Sequence, residues 1–369
     1  MEHKAPIKIT PIGSGNWDSA IALIVGRNAQ KHDDHFAVEV LMWVHEEKVN
    51  GKRLTEIINT QHENVKYLPD KKLPVNVIAV ADLVTACRDS DILVFVTPHQ
   101  FVENVCTQLK GRLKKDALAI SRIKGFLVDK KEGTIRLVSE AIRELLNIDV
   151  AVLMRANVAQ DVANEEFSTA TIGYKGRKEM WPILKKLFES ESFRVNLTED
   201  SNTVELCGGL KNIVACAAGF ADGFGYGSNT KAAIIRLGLL EIIIFIELFY
   251  HCSNIRTYFE SCGIADLIAS CTSGRNRKIC EAFVKTRKSI EELEREMLNG
   301  QSVQGPITAE AVFIMLNKHD MLSRFPLFVV VHKICQKELS PSLLIECLRQ
   351  CKNKLPNNQV GIQLSLVIN

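Results

Sequence analysis

Residues 13–18 read G-S-G-N-W-D and lie between an apolar run and an amphipathic stretch. Gly13 can make the tight turn that follows a strand, and Gly15 lets the backbone approach a diphosphate closely. The N-terminus of the following helix would then face the phosphate charge. This context, at the start of an alternating fold, predicts a dinucleotide-binding turn, with an ordinary strand–helix turn as the alternative.

Two residues of this segment depart from an ideal dinucleotide turn. Pro11 removes one hydrogen-bond donor from the predicted central strand. Asp18 stands where the pattern G-x-G-x-x-G has a third small residue. The helix dipole stabilises a carboxylate there by about 0.3–1 kcal/mol, but a phosphate about 4 Å away would repel it by about 4 kcal/mol at an effective dielectric constant of about 20. At that separation, repulsion outweighs the dipole.

Short apolar runs alternate with amphipathic stretches through the first half of the chain. Strands are predicted at residues 7–13, 37–47, 91–98, 117–125 and 149–157, and helices at 18–30, 81–90, 101–113 and 134–147. This rhythm predicts an α/β fold with a doubly wound parallel sheet.

The pattern changes near residue 200, where the apolar spacing becomes helical. Helices are predicted at residues 203–223, 230–250, 276–286, 289–298 and 308–319, with no strand of comparable quality among them. We therefore predict a first domain over residues 1–198 and an all-helical domain over 199–355, with the boundary close to Thr198. The tail over 356–369 receives no structural prediction.

Composition excludes several classes of protein. The chain has 369 residues, long enough for two domains. Its 46 basic and 43 acidic residues are too balanced for a nucleic-acid surface, and the N-terminus has no signal-peptide run. The best membrane candidate, residues 232–250, carries Arg236, Glu241 and Glu247, so a buried helix of a soluble protein is predicted instead.

Eleven cysteines are scattered along the chain without a C-x-x-C pair. Cys262, Cys271 and Cys280 recur every nine residues, which matches no zinc-binding spacing. The pattern indicates reduced thiols, mostly in the core of a cytosolic protein, and no metal site.

A set of short stretches occurs in one order along residues 7–350: HENVKYLP, TPHQF, IKG, ANVA, TVELCGGLKNIVA, SNTKAAIIRLGL, ESCGIADLI, SGRNRK, LNGQSVQGP and RFPLF. Together they resemble the NAD-dependent glycerol-3-phosphate dehydrogenases of the eukaryotic cytosol, most of all the vertebrate members and their 1-like relative. The resemblance implies NAD as cofactor, an N-terminal Rossmann-type domain, a helical substrate domain and a homodimer, with the active site between the two domains.

The resemblance also implies roles for individual residues in the chemistry of dihydroxyacetone phosphate. Lys211 matches the general acid/base, and its apolar setting suits a lowered pKa. Lys124 matches a substrate contact, and Asp266 the carboxylate beside the catalytic lysine. Arg275 and Asn276 match the phosphate site, to which we add Asn212. The expected cofactor contacts are Gly13, Ser14, Gly15, Asn16, Trp17, Asp18, His45, Phe101, Ala159, Arg275 and Gln304.

Each of these residues also has an ordinary structural interpretation. Lys211 on an apolar helix can extend its amine to solvent, and Asp266 can cap a helix. Lys124 can simply end a strand, and Arg275 with Arg277 can form a solvated face. Their joint occurrence in the family's order favours the functional interpretation.

Four positions depart from the family pattern: Asp18, His45, Arg155 and Ser302 stand where the family has Gly, Phe, Gly and Lys. Two functions therefore remain open: a working dehydrogenase, or a catalytically weak or inactive relative that acts as a binding or regulatory protein. The S-G-R-N-R-K phosphate site argues against a different β-hydroxyacid dehydrogenase. We further hypothesise that the opposite charges of Asp18 and Arg155 offset each other, by direct pairing or through contact of Arg155 with the diphosphate.

Overall fold

The computed structural model describes residues 5–129, 133–155, 159–251, 254–298 and 301–350. The tail at 356–369 lies outside the described residues. So do residues 156–158, part of the A-N-V-A stretch that contributed to the resemblance.

An eight-stranded sheet occupies the first half of the chain, with strand order β5-β2-β1-β6-β7-β10-β11-β12, and two two-stranded hairpins accompany it, β3–β4 and β8–β9. The strands are β1 Ile9–Ile12, β2 Val40–Trp43, β3 Lys48–Val49, β4 Lys52–Arg53, β5 Val77–Val80, β6 Ile92–Phe95, β7 Leu118–Ser121, β8 Phe126–Asp129, β9 Thr134–Leu137, β10 Asp149–Arg155, β11 Ser168–Gly173 and β12 Phe193–Thr198. Strands β1, β6 and β7 are buried along their whole length, as expected where helices cover both faces of a parallel sheet.

Helices connect the strands and form every described segment of regular structure beyond Thr198. They are α1 Asn16–Lys31, α2 Leu54–Gln61, α3 Leu83–Cys87, α4 Val102–Leu109, α5 Val138–Leu146, α6 Ala159–Ala163, α7 Met180–Phe188, α8 Ser201–Gly223, α9 Ser228–Tyr250, α10 Ile255–Phe259, α11 Asp266–Ser273, α12 Arg275–Thr286, α13 Ile290–Leu298, α14 Gln304–Lys318, α15 Pro326–Cys335 and α16 Leu344–Gln350. The predicted α/β class, with a doubly wound sheet followed by a helical region, is confirmed.

The structure corrects the predicted sheet, to which it adds the unpredicted strands β5, β11 and β12. The helix expected from residue 134 begins only at Val138, because Thr134–Leu137 alternates between partly buried and buried residues and pairs with β8. Not every neighbouring pair is parallel, since β11 runs antiparallel to β10. Pro11 does lie inside β1, opposite Val94 of β6.

Helix α8 runs through the centre of the helical region and carries Lys211. Every residue from Thr203 to Ala221 is buried. Among the described residues, α8 is the one helix whose length and hydropathy would allow it to cross a membrane, and all of that stretch is buried within the protein. Burial against other helices therefore accounts for its apolar composition.

Two buried carboxylates fasten α8 and α9 to their neighbours. Glu205 of α8 accepts hydrogen bonds from the Ser139 backbone N–H and hydroxyl at the start of α5. Glu241 of α9 accepts from the N–H groups of Leu327 and Phe328 at the start of α15, at 2.7 and 3.0 Å. Burial raises the pKa of Glu241 to about 8, although these hydrogen bonds lower it.

Helix α9, predicted to be a buried helix, is buried along one side only. Its buried positions are Ile234, Gly238, Glu241, Ile242, Phe245 and Ile246. These follow a helical spacing, while the other side is partly exposed.

The nine described cysteines are all free, and seven of them are buried.

Replacing Glu241 tests the cap on α15. Glu241→Ala leaves two buried N–H groups without an acceptor, and we expect the free energy of unfolding to fall by about 2–4 kcal/mol. Urea unfolding at pH 7, followed by circular dichroism, measures the loss. Glu241→Gln keeps a carbonyl acceptor and should lose less. Glu247→Ala, on the partly exposed side of the same helix, should cost less than about 0.5 kcal/mol; an equal loss there would contradict the role as a cap.

Candidate active site

Two lysines and one carboxylate from distant parts of the chain meet in the interior. Lys124 lies just after β7, Lys211 in the middle of α8, and Asp266 at the start of α11. Asp266 Oδ2 lies 2.7 Å from Lys124 Nζ, and Asp266 Oδ1 lies 2.6 Å from Lys211 Nζ. The structure thus brings together the three residues that the sequence singled out for chemistry.

Burial gives this cluster its electrostatic character. Burial raises the pKa of Asp266, but Lys124 and Lys211 outweigh that effect and hold it below the ordinary value of 3.8. Burial lowers the pKa of Lys124 well below 10.5, with Asp266 acting in the opposite direction. Two lysines thus face one ionised carboxylate, an arrangement that suits an anionic substrate.

Lys211 has a second partner that the sequence analysis missed. Its ammonium donates a hydrogen bond to the hydroxyl of Ser270. An available signal was the spacing, because Ser270 is four residues after Asp266 and therefore on the same helix face. An ammonium has three donors, so the contacts with Asp266 and Ser270 leave one N–H of Lys211 for a substrate oxygen.

The residues expected at the phosphate site join α8, α12 and α14. Asn276 Nδ2 donates to Asn212 Oδ1 at 3.1 Å, and the N–H of Gly305 donates to Asn276 Oδ1 at 2.7 Å. Arg275, the first residue of α12, is exposed and donates from Nη1 to Gln301 Oε1 at 2.9 Å. The twelve-residue helix α12 thus begins with an exposed guanidinium beside a fixed amide.

The expected cofactor turn follows β1 and opens α1. Gly13 has φ +134°, a backbone conformation that favours glycine, and Gly15 precedes the first helical residue, Asn16. The N–H of Gly15 donates to Asp18 Oδ2 at 2.8 Å. A Cβ atom on Gly13 would clash with Asp18 Oδ1. The carboxylate of Asp18 therefore lies inside the turn and takes a donor that a diphosphate would use.

Asp18 is buried, and its Oδ1 has no hydrogen-bond partner among the described residues. Burial raises its pKa to about 6, with Arg122 acting in the opposite direction. Arg122 follows β7 directly and is itself buried. Sequence analysis missed it, although a basic residue at the carboxyl end of a parallel strand was a usable signal.

The proposed direct pairing of Asp18 with Arg155 is wrong. No ion pair joins them in the described part of the chain, and Arg122 is the cation that affects the pKa of Asp18. Arg155 is directed onto the indole of Trp17 instead, with Cζ 3.2 Å from the ring centroid, and the Cζ of Arg122 lies 4.3 Å from the same centroid. The stacking on Trp17 accounts for the different orientation of Arg155.

The other expected cofactor residues have varied surroundings. Ser14 is buried, and its carbonyl accepts from Asn64 at 2.8 Å. His45 is exposed just beyond β2, and Phe101 is 52% exposed after β6. The remaining positions are a buried Ala159 at the start of α6, a half-buried Gln304 at the start of α14, and an exposed Ser302.

The sheet topology fits a bound dinucleotide, whereas the glycine turn fits it only in part. The order β5-β2-β1-β6-β7-β10 reverses direction between β1 and β6, and ligands of such sheets bind beyond the carboxyl ends of the strands at this reversal. The G-S-G turn lies there. Its Gly15 donor, however, is already bonded to Asp18.

Comparison with known proteins assigns both halves of the chain to one family. Residues 8–180 match the model for the NAD-dependent glycerol-3-phosphate dehydrogenase N-terminus, and residues 200–346 match the model for the C-terminus. A probable glycerol-3-phosphate dehydrogenase 2 of Caenorhabditis elegans is 58% identical, covering 94% of this chain and 90% of its own length. The cytoplasmic NAD(+) glycerol-3-phosphate dehydrogenase of Homo sapiens is 52% identical, covering 93% of this chain and 97% of its own.

A solved structure gives the same result. The glycerol-3-phosphate dehydrogenase of Saccharomyces cerevisiae is 43% identical, with a TM-score of 0.87, and the match covers 94% of this chain and 100% of that chain. The likeness therefore extends to the arrangement of the elements as well as to the sequence.

Neutralising Asp266 tests the electrostatic cluster. Asp266→Asn leaves the buried ammonium of Lys211 and the partly buried ammonium of Lys124 without a counter-charge, and we expect the free energy of unfolding to fall by about 3–5 kcal/mol at pH 7. Because the pKa of Asp266 is lowered, this stabilisation is present above pH 3.8 and disappears as the pH falls through the folded-state pKa.

A second variant separates lost pairing from general damage at Asp266. Adding Lys124→Met to Asp266→Asn removes one of the two unpaired cations and should restore part of the lost stability. Chemical denaturation of the single and double variants measures both changes. A double variant less stable than Asp266→Asn would contradict the electrostatic explanation.

Proposed function

The chain belongs to the NAD-dependent glycerol-3-phosphate dehydrogenase family, and from this premise we propose that Lys211, Lys124 and Asp266 carry out its chemistry. The protein is an oxidoreductase of the cytoplasm that interconverts sn-glycerol 3-phosphate and dihydroxyacetone phosphate with NAD as cofactor. The observation that best supports the residue roles is the single buried carboxylate of Asp266, which contacts both lysine ammonium groups.

NAD supplies the hydride acceptor for oxidation at C2 and, as NADH, the hydride donor for reduction. The free N–H of Lys211 delivers a proton to the C2 oxygen during reduction and recovers it during oxidation. Asp266 and Ser270 hold the ammonium of Lys211 in position. Lys124, on the other oxygen of Asp266, supplies positive charge where the C2 oxygen becomes negative.

The phosphate of the substrate is assigned to Arg275, Asn276 and Asn212. The guanidinium of Arg275 offers donors suited to a phosphate, and the N-terminus of α12 adds its positive end. The hydrogen bond between Asn276 and Asn212 fixes one wall of this site relative to Lys211, the residue next to Asn212.

Two features of organisation belong to the same proposal. We place the domain boundary close to Thr198, because the last strand ends there and α8 begins at Ser201. We propose a homodimer on the resemblance alone. The contacts with NAD are assigned to the crevice beyond β1, β2 and β6, with Gly13, His45 and Phe101 among its residues.

The role of Lys211 is tested by Lys211→Met. We expect this variant to lose turnover while it still binds NADH, because only the proton donor is removed. NADH oxidation with dihydroxyacetone phosphate measures turnover, and NADH fluorescence measures binding. Retained turnover within about tenfold of the parent, a change of about 1.4 kcal/mol, would contradict the assignment. Lys124→Met is the matched variant. If Lys124→Met loses turnover and Lys211→Met keeps it, Lys124 is the proton donor.

The phosphate assignment is tested by Arg275→Ala. Removing the guanidinium should raise KM for dihydroxyacetone phosphate and lower kcat/KM by about tenfold or more, because a charge-assisted contact is lost. Unphosphorylated dihydroxyacetone should lose little activity. Lys278→Ala, an exposed cation three residues further along α12, serves as the control for general charge. Equal losses for the two substrates would show that Arg275 does not bind the phosphate.

A further inference from the structure

Arg155 is a buried cation without a hydrogen-bond partner among the described residues. Its side chain has no exposed surface, and none of its three guanidinium nitrogens has a hydrogen-bond partner among the described residues. A buried charge without a partner is costly. Within the described chain, Arg155 contacts the Trp17 ring, an attraction of the cation–π kind. Five N–H donors thus remain for a group that comes from outside.

Arg122 belongs to the same arrangement. It rests on the same ring of Trp17, and its Nε also lacks a partner in the described part of the chain. Asp18 and Asp266 both raise its pKa against the larger effect of burial. Arg122 therefore lies within electrostatic range of both Asp18 in the glycine turn and Asp266 in the lysine cluster.

The local charges do not balance without a ligand. The cationic side chains considered in this region are those of Lys124, Lys211, Arg122 and Arg155. Two carboxylates oppose them, Asp18 and Asp266. Burial raises the pKa of Asp18 to about 6, so even its negative charge is incomplete near neutral pH. Cationic side chains thus outnumber carboxylates in this region, which suits an anionic group such as a diphosphate.

The glycine turn does not by itself provide a binding site for the diphosphate. Asp18 already occupies the N–H of Gly15, and its carboxylate would repel a phosphate in the turn. Arg122 lies close enough to Asp18 to act on its pKa, and Arg155 shares the Trp17 ring with Arg122. Asp266 also acts on the pKa of both arginines, so both lie within electrostatic range of the lysine cluster.

We propose that Arg122 and Arg155, resting on Trp17, bind the diphosphate of the dinucleotide in place of the turn donor that Asp18 occupies. The proposal rests on the NAD-dependent activity given above, and it assigns the cofactor's anionic group to guanidinium side chains. Arginine suits this role because its planar donors match phosphate oxygens in pairs. The cation–π contact with Trp17 holds the donors in place before the ligand arrives.

The test compares ligands with and without a diphosphate on the full chain. Arg155→Met and Arg122→Met keep side-chain bulk and remove the charge. We expect each to weaken ADP-ribose and NADH binding at least tenfold, with adenosine changed less than twofold. Calorimetry measures ADP-ribose and adenosine, and fluorescence measures NADH. Arg155→Lys should recover part of the affinity, and the dependence of binding on salt concentration should become shallower in both Met variants.

Two controls accompany the binding measurements. Arg194→Met removes an exposed arginine whose Cζ lies 5.8 Å from the Phe167 ring centroid, so it is the same substitution at another arginine–aromatic contact, away from the site. The ligand affinities of this variant should not change. Thermal unfolding without ligand should show Arg155→Met at least as stable as the parent, because an unpaired buried charge is removed. If Arg155 had only a structural role, Arg155→Met would be less stable than the parent.

Several results would overturn the proposal. ADP-ribose binding that is unchanged or tighter in Arg155→Met would show that the guanidinium obstructs the site. An equal loss for adenosine would show that the diphosphate is not what the arginines bind. A parent protein that binds neither ADP-ribose nor NADH would also refute it. None of these measurements uses turnover, so a parent that binds NADH but does not oxidise it with dihydroxyacetone phosphate would refute the proposed function alone.

Discussion

The buried carboxylate of Asp266, shared by two lysine ammonium groups, is the interaction on which the rest of the site depends. Each lysine comes from a different part of the chain: Lys124 from the end of a sheet strand and Lys211 from the central helix. Removing the carboxylate would leave both cations unpaired, which is strongly destabilising. The sheet, α8 and α11 must therefore keep one relative position, and that position defines where a substrate oxygen can approach Lys211.

Helix α8 can hold Lys211 because packing and buried carboxylates fix it on every side. Its residues from Thr203 to Ala221 are buried, and Glu205 joins it to the start of α5. Glu241 makes the corresponding contact between α9 and α15. Burial raises the pKa of Glu205 to about 7, a cost that the hydrogen bonds to Ser139 partly offset. The helical region is thus held by polar contacts as well as by its apolar core.

The cofactor side of the site combines an ordinary topology with an unusual charge arrangement. The strand order and the conformation of Gly13 are those expected of a dinucleotide fold. Inside the turn, however, Asp18 accepts the Gly15 N–H. Two guanidinium groups lie over Trp17 beside it. Dinucleotide turns usually offer backbone N–H groups to the diphosphate. Here guanidinium side chains offer positive charge, and their attraction for an anion is more sensitive to salt concentration.

The sequence by itself determined the alternation of strands and helices and the helical second half, because periodicity is a local property. The residues of the lysine cluster were implied by the resemblance to a known family. The sequence did not reveal the β8–β9 hairpin or the antiparallel β11, since strand pairing joins segments far apart in the chain. Nor did it show Ser270 against Lys211, Arg122 near Asp18, or Arg155 on Trp17. A side chain's direction and partner depend on which distant surface packs against it, and only the tertiary structure decides that.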